Sequence, residues 1–295
     1  MLSSSAEFLP SPTYAVPCDP ASEEEVADAI RKLRNNKASG EDGIPAEIFK
    51  SCVDTLAPWL HEVIERAWRD VVVPDGWGLG ILVPILKKGD KTKCENYRGT
   101  SLIDIAAKIF AIVLLRRFQA VHDSRTRANQ VGFRARRPWI FTLRRILKFR
   151  HSYQQPTVVC FIDLAAAFDS VHRESQWRIM ALDGLPAKII AMIKAYYRST
   201  ISRVLVRKNL SHPFGIRSGV RQGCILSPIL INYATDWILV RVVHEGDGVE
   251  LAPRHRLTYL DYADDIALLA LGFCDLPSMV SQSKDDIVSR SDAAR

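Results

Sequence analysis

Residues 257–270 read Leu-Thr-Tyr-Leu-Asp-Tyr-Ala-Asp-Asp-Ile-Ala-Leu-Leu-Ala, two apolar runs separated by a short segment that contains adjacent carboxylates. Short apolar runs on either side of a turn predict a β-hairpin. Asp264 and Asp265 then lie at the tip of that hairpin. Like charges so close together repel unless a cation neutralises them. The stretch therefore predicts antiparallel strands with a candidate cation site at one end.

A third acid ends another apolar run. Val158-Val159-Cys160-Phe161-Ile162 has no polar member and is followed by Asp163, which predicts a strand buried on both faces. If this strand is the neighbour of the strand at residues 257–261 in one sheet, the three carboxylates converge. Three hard oxygen donors suit Mg²⁺ together with substrate phosphates. Aspartate is also a common turn residue, so the spacing alone leaves a purely structural role open.

The rest of the chain is predicted to be largely helical. A capping box at Ser22 to Glu25 starts the first helix, and Pro58 is expected to interrupt a later one. Residues 80–86 are predicted to form an edge strand because Pro84 lacks the amide that a central strand needs. Helices are predicted over about 23–35, 102–118, 139–150 and 228–243.

Composition and charge narrow the class of protein. The 295 residues are 47% hydrophobic and 25% charged, which excludes a disordered, collagenous or disulfide-scaffold chain. The net charge of +7 is uneven, because residues 116–150 hold eleven Lys and Arg and the single acid Asp123. Such a segment predicts a track for nucleic-acid phosphates, and a pair of helices with solvated basic faces is the alternative.

The cysteines and the hydropathy predict where the protein works. The six cysteines are widely spaced and form no metal-binding pattern, which favours reduced thiols. The longest apolar run, residues 109–115, is too short to span a bilayer. The sequence therefore predicts an intracellular protein of the nucleus or cytoplasm, with no membrane partner.

Five ordered motifs carry a resemblance to a known family. Residues 161–169 (FIDLAAAFD), 219–228 (GVRQGCILSP) and 262–265 (YADD) resemble the three palm motifs of reverse transcriptases. Residues 85–102 and 130–134 resemble fingers motifs of the enzymes from non-LTR retrotransposons. Within that family, the motifs are most similar to those of the RTE-like group. The resemblance implies an α+β fold of the right-hand polymerase type. Its palm is an antiparallel sheet with packed helices, and its fingers are mostly helical.

The resemblance also implies a domain organisation. Residues 1–21 are expected to be a disordered lead, and residues 22–155 the fingers with N-terminal helices. Residues 156–272 are expected to be the palm, and residues 273–295 a truncated or disordered tail. The thumb of the family does not fit into the remaining residues, so the chain is expected to be a truncated copy.

The catalytic centre follows from the resemblance. Asp163, Asp264 and Asp265 are implied to be catalytic acids that hold two Mg²⁺ ions, with Mn²⁺ as the alternative ion and the Leu164 carbonyl as a further ligand. The implied reaction is attack of a DNA primer 3′-hydroxyl on the α-phosphate of a deoxynucleoside triphosphate, which expels pyrophosphate, with an RNA strand as the template.

Further residues are implied to bind substrates. Phe168 is implied to lie under the sugar and to exclude a 2′-hydroxyl, although it is alternatively simple core. Gln222 and Gly223 are implied to contact nucleotide and template, with a plain turn as the alternative. The cations implied to bind the triphosphate are Lys87, Lys88 and Arg98, and those implied to bind nucleic acid are Arg134, Arg136, Arg137 and Arg144.

Two functions remain open on the sequence. The first is an RNA-directed DNA polymerase domain, supported by the presence of all the expected aspartates. The second is a catalytically inactive retroelement fragment that only binds RNA or RNA–DNA duplex. The sequence predicts no oligomeric state.

Overall fold

The computed structural model of the chain describes residues 16–125, 139–164, 166–242, 247–252, 255–262 and 265–275. The helices are α1 (Glu23–Arg31), α2 (Ala46–Ser51), α3 (Val53–Asp70), α4 (Ile105–Arg125), α5 (Trp139–Ser152), α6 (Ala167–Ser170), α7 (Arg173–Leu182), α8 (Ala187–Arg198) and α9 (Ser227–Val242). The strands are β1 (Leu79–Leu86), β2 (Tyr97–Leu102), β3 (Val158–Asp163), β4 (Ile201–Val206), β5 (Asn209–Leu210), β6 (Phe214–Gly215), β7 (Val249–Ala252), β8 (His255–Leu257), β9 (Tyr259–Tyr262) and β10 (Asp265–Ala270).

The chain divides into two compact units that interleave along the sequence. The first unit comprises Met1–Val121, Trp177–Arg217 and Gly223–Ile225, and the second comprises His122–Gln176, Ser218–Gln222 and Leu226–Arg295. The predicted mixture of helices and strands is confirmed. Among the described strands, β1 and β4 pair in parallel. No helix in the described part of the chain is long and apolar enough to cross a membrane.

The helical start of the first unit follows the predicted capping chemistry. The Ser22 hydroxyl accepts the Glu25 amide at 3.2 Å, and the Glu25 carboxylate accepts the Ser22 amide at 2.8 Å. These bonds satisfy amides that an uncapped helix leaves without partners. The predicted start of α1 is confirmed, although the helix ends at Arg31 rather than near residue 35.

The prediction that Pro58 interrupts a helix is wrong. Helix α3 continues through Pro58. The helical conformation is interrupted earlier, between α2 and α3, at Cys52, whose φ and ψ are −116° and 29°. Proline removes one hydrogen bond from a helix. The apolar face that continues beyond it, including the buried Ile64 and Trp68, packs against α1. We infer that this packing outweighs the missing bond.

The prediction of an edge strand at Pro84 is also wrong. Strand β1 lies between β2 and β4 in a sheet of order β2-β1-β4-β5, with β6 paired to β4. Its pairing with β4 runs only from Leu79 to Leu82, whereas Pro84 pairs with Gly99 of β2. The proline is tolerated because it lies beyond the part of β1 that pairs on both sides.

The second unit contains the predicted hairpin. Strands β9 and β10 are antiparallel, with Asp265 opposite Tyr262, and β3 pairs with the other side of β10. The central strand β10 packs on both faces. Ala267 and Leu269 belong to a cluster with α5, and Ile266 and Leu268 belong to a cluster with α9. This two-sided packing explains why the strand is continuously apolar.

The prediction that the strand at residues 158–162 is buried on both faces is wrong. Strand β3 is an edge strand of the three-stranded sheet, whose order is β3-β10-β9, and Phe161 is 65% exposed. An edge strand has fewer neighbours to cover it than the central strand of the same sheet. The fully buried strand is β10, where residues 266–270 are all buried.

Candidate active site

Two of the three expected acids face each other in the second unit. Asp163 is the last residue of β3, Asp265 is the first residue of β10, and the two are directly opposite in the antiparallel register. Directly opposed residues have Cβ atoms about 5 Å apart and lie on the same face of the sheet. Both residues are exposed. The strand pairing therefore brings the two carboxylate-bearing side chains to one end of the sheet.

Of the two remaining expected metal ligands, Asp264 and the Leu164 carbonyl, the structure describes only the second. Asp264 lies outside the described residues. Leu164 follows β3 directly, and its carbonyl oxygen accepts the Ala167 amide at 3.2 Å. A carbonyl oxygen has two lone pairs, so this bond leaves one of them for another donor or ligand.

The chemistry of the acid pair suits a hard divalent cation. Like charges directly opposite each other destabilise a strand pair, and a bound cation removes that cost. Carboxylate oxygens are the ligands that Mg²⁺ prefers in proteins. The described residues contain no group of three or more His, Cys, Asp or Glu side chains that could hold a metal ion. The paired Asp163 and Asp265 nevertheless supply the donor type that a divalent cation needs.

An aromatic cluster adjoins the acid pair on the same face of the sheet. Trp139, the first residue of α5, lies with its ring centroid 6.3 Å from that of Phe161 and 6.2 Å from that of Tyr262. Phe161 lies two residues before Asp163 on β3, and Tyr262 pairs with Asp265. This contact could not be predicted from the sequence, because no local pattern connects residue 139 with these strands.

Phe168 is buried in the turn that follows β3. It lies in the short helix α6 after Ala166, whose φ of 52° is left-handed. The side chain is 9% exposed, and the Phe168 carbonyl accepts the Val220 amide at 2.7 Å. The turn therefore holds the aromatic ring in a packed position.

Gln222 and Gly223 follow each other at a boundary between the units. Gln222 is half-buried and belongs to the second unit, and Gly223 is exposed and belongs to the first. Gly223 has a φ of +100°, and a Cβ there would lie 2.9 Å from the Ser101 carbonyl oxygen. Glycine is required here by a close approach to β2 within the first unit.

The cations expected to bind a triphosphate lie at one end of a hairpin in the first unit. Lys87 and Lys88 follow β1, and Arg98 of β2 is opposite Ile85. The Lys87 amide donates to the Asn96 carbonyl at 2.8 Å, which extends the ladder by one step. All three cationic residues are exposed.

The basic segment divides into internal and exposed cations. Arg150 is 2% exposed and donates to the carbonyl oxygens of Glu250 and Pro156 and to the Gln155 side chain, each at 2.8–2.9 Å. Arg116 donates to the Glu25 carbonyl at 3.2 Å, and Arg117 forms an ion pair with the Glu25 carboxylate. These guanidinium groups bind the protein itself.

The exposed cations lie on the outer face of α5. Arg144, Arg145 and Lys148 are exposed, and the Arg145 guanidinium carbon is 5.8 Å from the centroid of the exposed Phe141 ring. Residues 139–157 contain no acid. The other arginines expected to bind nucleic acid lie outside the described residues, namely Arg134, Arg136 and Arg137.

Known proteins resemble this chain over most of its length. The chain is 28% identical over 280 residues to the transposon TX1 uncharacterized 149 kDa protein of Xenopus laevis, covering 94% of this chain and 21% of that protein. It is 28% identical to the probable RNA-directed DNA polymerase from transposon BS of Drosophila melanogaster, covering 88% of this chain and 29% of the relative. It is 27% identical to the RNA-directed DNA polymerase from mobile element jockey of Drosophila funebris, covering 91% and 30%.

The family assignment rests on a match longer than any single motif. The chain spans between 21% and 30% of the length of these relatives. The family described as reverse transcriptase (RNA-dependent DNA polymerase) matches residues 85–288, which include the acid pair and all three palm motifs. The chain therefore belongs to the reverse transcriptase (RNA-dependent DNA polymerase) family, as its resemblance to the non-LTR retrotransposon enzymes predicted.

Proposed function

We propose that this chain is the fingers and palm part of an RNA-directed DNA polymerase. Residues 22–155 are proposed as fingers with N-terminal helices and residues 156–272 as palm. The observation that carries the proposal is the pairing of Asp163 with Asp265 at one end of the β3–β10 ladder. The family match and the names of the relatives support the same reaction class.

The proposed chemistry is transfer of a deoxynucleotide to a primer 3′-hydroxyl. Asp163, Asp264 and Asp265 would hold two Mg²⁺ ions, with Mn²⁺ as the alternative and the free lone pair of the Leu164 carbonyl as a further ligand. When bound, the metals would lower the pKa of the attacking hydroxyl and stabilise the charge on the leaving pyrophosphate. Asp163 and Asp265 lie at strand ends, so little backbone reorganisation is needed there when the substrates bind.

The substrate contacts are proposed residue by residue. Phe168 is proposed to exclude a 2′-hydroxyl through a ring that the surrounding turn holds in place, and Gln222 to contact the nucleotide. Gly223 is proposed to let the backbone come close to the template, because it has no side chain. The cations Lys87, Lys88 and Arg98 are proposed to bind the triphosphate, since a planar guanidinium and a mobile ammonium both suit phosphate.

The proposed nucleic-acid partners are an RNA template and a DNA primer. The exposed face of α5 supports this part of the proposal, because Arg144 and Lys148 provide positive charge where no acid lies near in the sequence. Phosphate neutralisation by such cations gives affinity that does not depend on base sequence. Arg134, Arg136 and Arg137 are proposed to extend the same surface.

Primer extension tests the proposal. The chain is incubated with Mg²⁺, deoxynucleotides and a DNA primer annealed to RNA, with Asp264→Ala as the comparison. We expect extension by the wild type and none by the variant. Extension by neither protein, combined with binding of the RNA–DNA duplex by both, would instead favour the function of a catalytically inactive binding fragment.

A further inference from the structure

Two segments of the second unit lie backbone to backbone beside the proposed nucleotide site. The phenylalanine turn comprises residues 166–171 and contains Phe168. The glutamine loop comprises residues 218–222 and contains Gln222. The two segments are about 50 residues apart in the sequence. Each nevertheless carries a side chain that is proposed to contact the nucleotide. Their mutual geometry therefore bears on how a nucleotide would be selected.

Backbone hydrogen bonds join the two segments. The Gly219 amide donates to the Val171 carbonyl at 2.8 Å, and the Val220 amide donates to the Phe168 carbonyl at 2.7 Å. Gly219 and Val220 are both buried. Bonds from buried amides are costly to break, because the Gly219 and Val220 amides would then lie without a partner away from water. The glutamine loop is thus fixed directly to the residue that carries the proposed sugar-excluding ring.

Gly219 allows the approach to be this close. Its φ of +72° lies in the left-handed region. A Cβ at this position would lie 2.6 Å from the Phe168 carbonyl oxygen and 2.8 Å from the Asp169 Cα, both of them backbone atoms. A side chain can be accommodated only if the loop moves away from the turn. Glycine is required at residue 219 by this contact.

The Arg173 side chain also binds the glutamine loop. It is the first residue of α7, two residues after the phenylalanine turn ends. Its Nε donates to the Gly219 carbonyl oxygen at 2.9 Å in a partly buried setting. The amide and the carbonyl of Gly219 are therefore both bonded to the segment of chain that follows Phe168. A charged donor makes the second of these bonds stronger than a neutral one.

We infer that Arg173 is a positioning residue that, together with Gly219, holds the glutamine loop on the phenylalanine turn and so sets the preference for deoxyribonucleotides. This inference rests on the proposed polymerase function. Arg173 acts through the loop rather than on the substrate. Discrimination against a 2′-hydroxyl depends on a ring that does not move, and the loop is bonded to the backbone of the residue that carries this ring.

Two variants release the loop in different ways. Arg173→Met removes the donor and keeps the bulk of the side chain, and Gly219→Ala forces the backbones apart while leaving Arg173 in place. Arg178→Met is the matched control, because Arg178 is an exposed residue of the same helix. Arg173→Lys keeps a positive donor and is expected to recover part of the loss. Circular dichroism and thermal unfolding show which variants are folded.

The first readout is hydrogen–deuterium exchange of peptides covering residues 216–224. We expect the Gly219 and Val220 amides to exchange at least about tenfold faster in Arg173→Met and Gly219→Ala than in the wild type or Arg178→Met. This measurement needs no catalytic activity. Wild-type exchange in a folded Arg173→Met or Gly219→Ala variant would overturn the inference.

The second readout is the ratio of kcat/KM for a deoxynucleotide to that for the matching ribonucleotide. A misplacement of about 1 Å changes rates up to about 100-fold, so we expect the ratio to fall by about 10- to 100-fold in both variants and to stay unchanged in Arg178→Met. An equal loss of activity with both nucleotides would show a merely structural role and overturn the inference. A wild type that extends no primer would contradict the proposed function, and the exchange measurement would still decide whether Arg173 anchors the loop.

Discussion

Asp163 and Asp265 form the terminal pair of the β3–β10 ladder, and the next pair inward is Ile162 with Ile266. The alternation of side chains across a strand puts the two acids on one face and the two isoleucines on the other. The isoleucine at 266 packs in the core with Tyr259, while both acids are exposed. The register of one strand pair therefore decides that the two carboxylates face the same side.

The acid pair should make stability depend on Mg²⁺. In metal-free buffer at low salt we expect Asp163→Asn to raise the free energy of unfolding by about 0.2–1 kcal/mol, because it removes a like-charge contact. Millimolar Mg²⁺ should stabilise the wild type and have little effect on the variant. Urea unfolding in EDTA and in MgCl₂ measures both effects, with the exposed Asp54→Asn as the control. Equal stabilisation of Asp163→Asn by Mg²⁺ would count against the site.

Phe168 should control the sugar that is incorporated. We expect Phe168→Val to raise ribonucleotide relative to deoxynucleotide incorporation about tenfold, because the smaller side chain leaves room for a 2′-hydroxyl. The side chain is 9% exposed, and its truncation should also cost about 2 kcal/mol of stability. Phe110→Val, a substitution in the core of the first unit, controls for instability alone. A ribonucleotide preference that rises equally in both variants would contradict the role of Phe168.

The outer face of α5 should contribute phosphate contacts. We expect the double variant Arg144→Gln/Lys148→Gln to bind single-stranded RNA more weakly and to lower the slope of log K against log salt by about 1.4, or about 0.7 per lost contact. Fluorescence anisotropy at several salt concentrations measures the slope. Lys32→Gln removes an exposed charge on the first unit and should leave it unchanged. An unaltered slope in the double variant would place the RNA contacts elsewhere.

Arg150 should act in stability rather than in binding. Its guanidinium ties the end of α5 to the segment before β3 and to β7 through bonds to Gln155, Pro156 and Glu250. We expect Arg150→Met to lower the free energy of unfolding by about 3 kcal/mol, because charged bonds are lost and buried acceptors are left without donors. Urea unfolding measures the loss, and the exposed Arg145→Met should change stability by less than about 0.5 kcal/mol. Near-wild-type stability of Arg150→Met would refute the anchoring role.

The local signals in the sequence predicted the elements of the site well. Apolar runs that end in Asp163 or begin after Asp265 predicted where strands end, because hydrophobic pattern and turn chemistry act over a few residues. The order of the strands was not predictable in the same way. The hairpin strand expected to neighbour residues 158–163 is separated from it by β10, and such pairing depends on contacts between distant parts of the chain.

The exceptions share a physical cause. Pro58 and Pro84 were expected to break or bound elements, but tertiary packing and one-sided pairing accommodate them. Arg150 was likewise expected to belong to the basic nucleic-acid track because it lies in the segment 116–150, although its guanidinium is buried. A sequence shows that a residue is charged, and only the fold shows which acceptors surround it. The contacts of Trp139 with Phe161 and Tyr262, and that of Arg173 with Gly219, join distant parts of the chain and had no local signal.

The most direct test of the central claim is the rate of single-nucleotide addition to a primer on an RNA template in Mg²⁺, compared among the wild type, Asp163→Asn and Asp54→Asn. Charge stabilisation at the reacting phosphate is usually a large part of catalysis, and we expect Asp163→Asn to be at least about 100-fold slower while Asp54→Asn matches the wild type. A rate for Asp163→Asn equal to that of the wild type would contradict the claim that the Asp163–Asp265 pair forms the catalytic metal site.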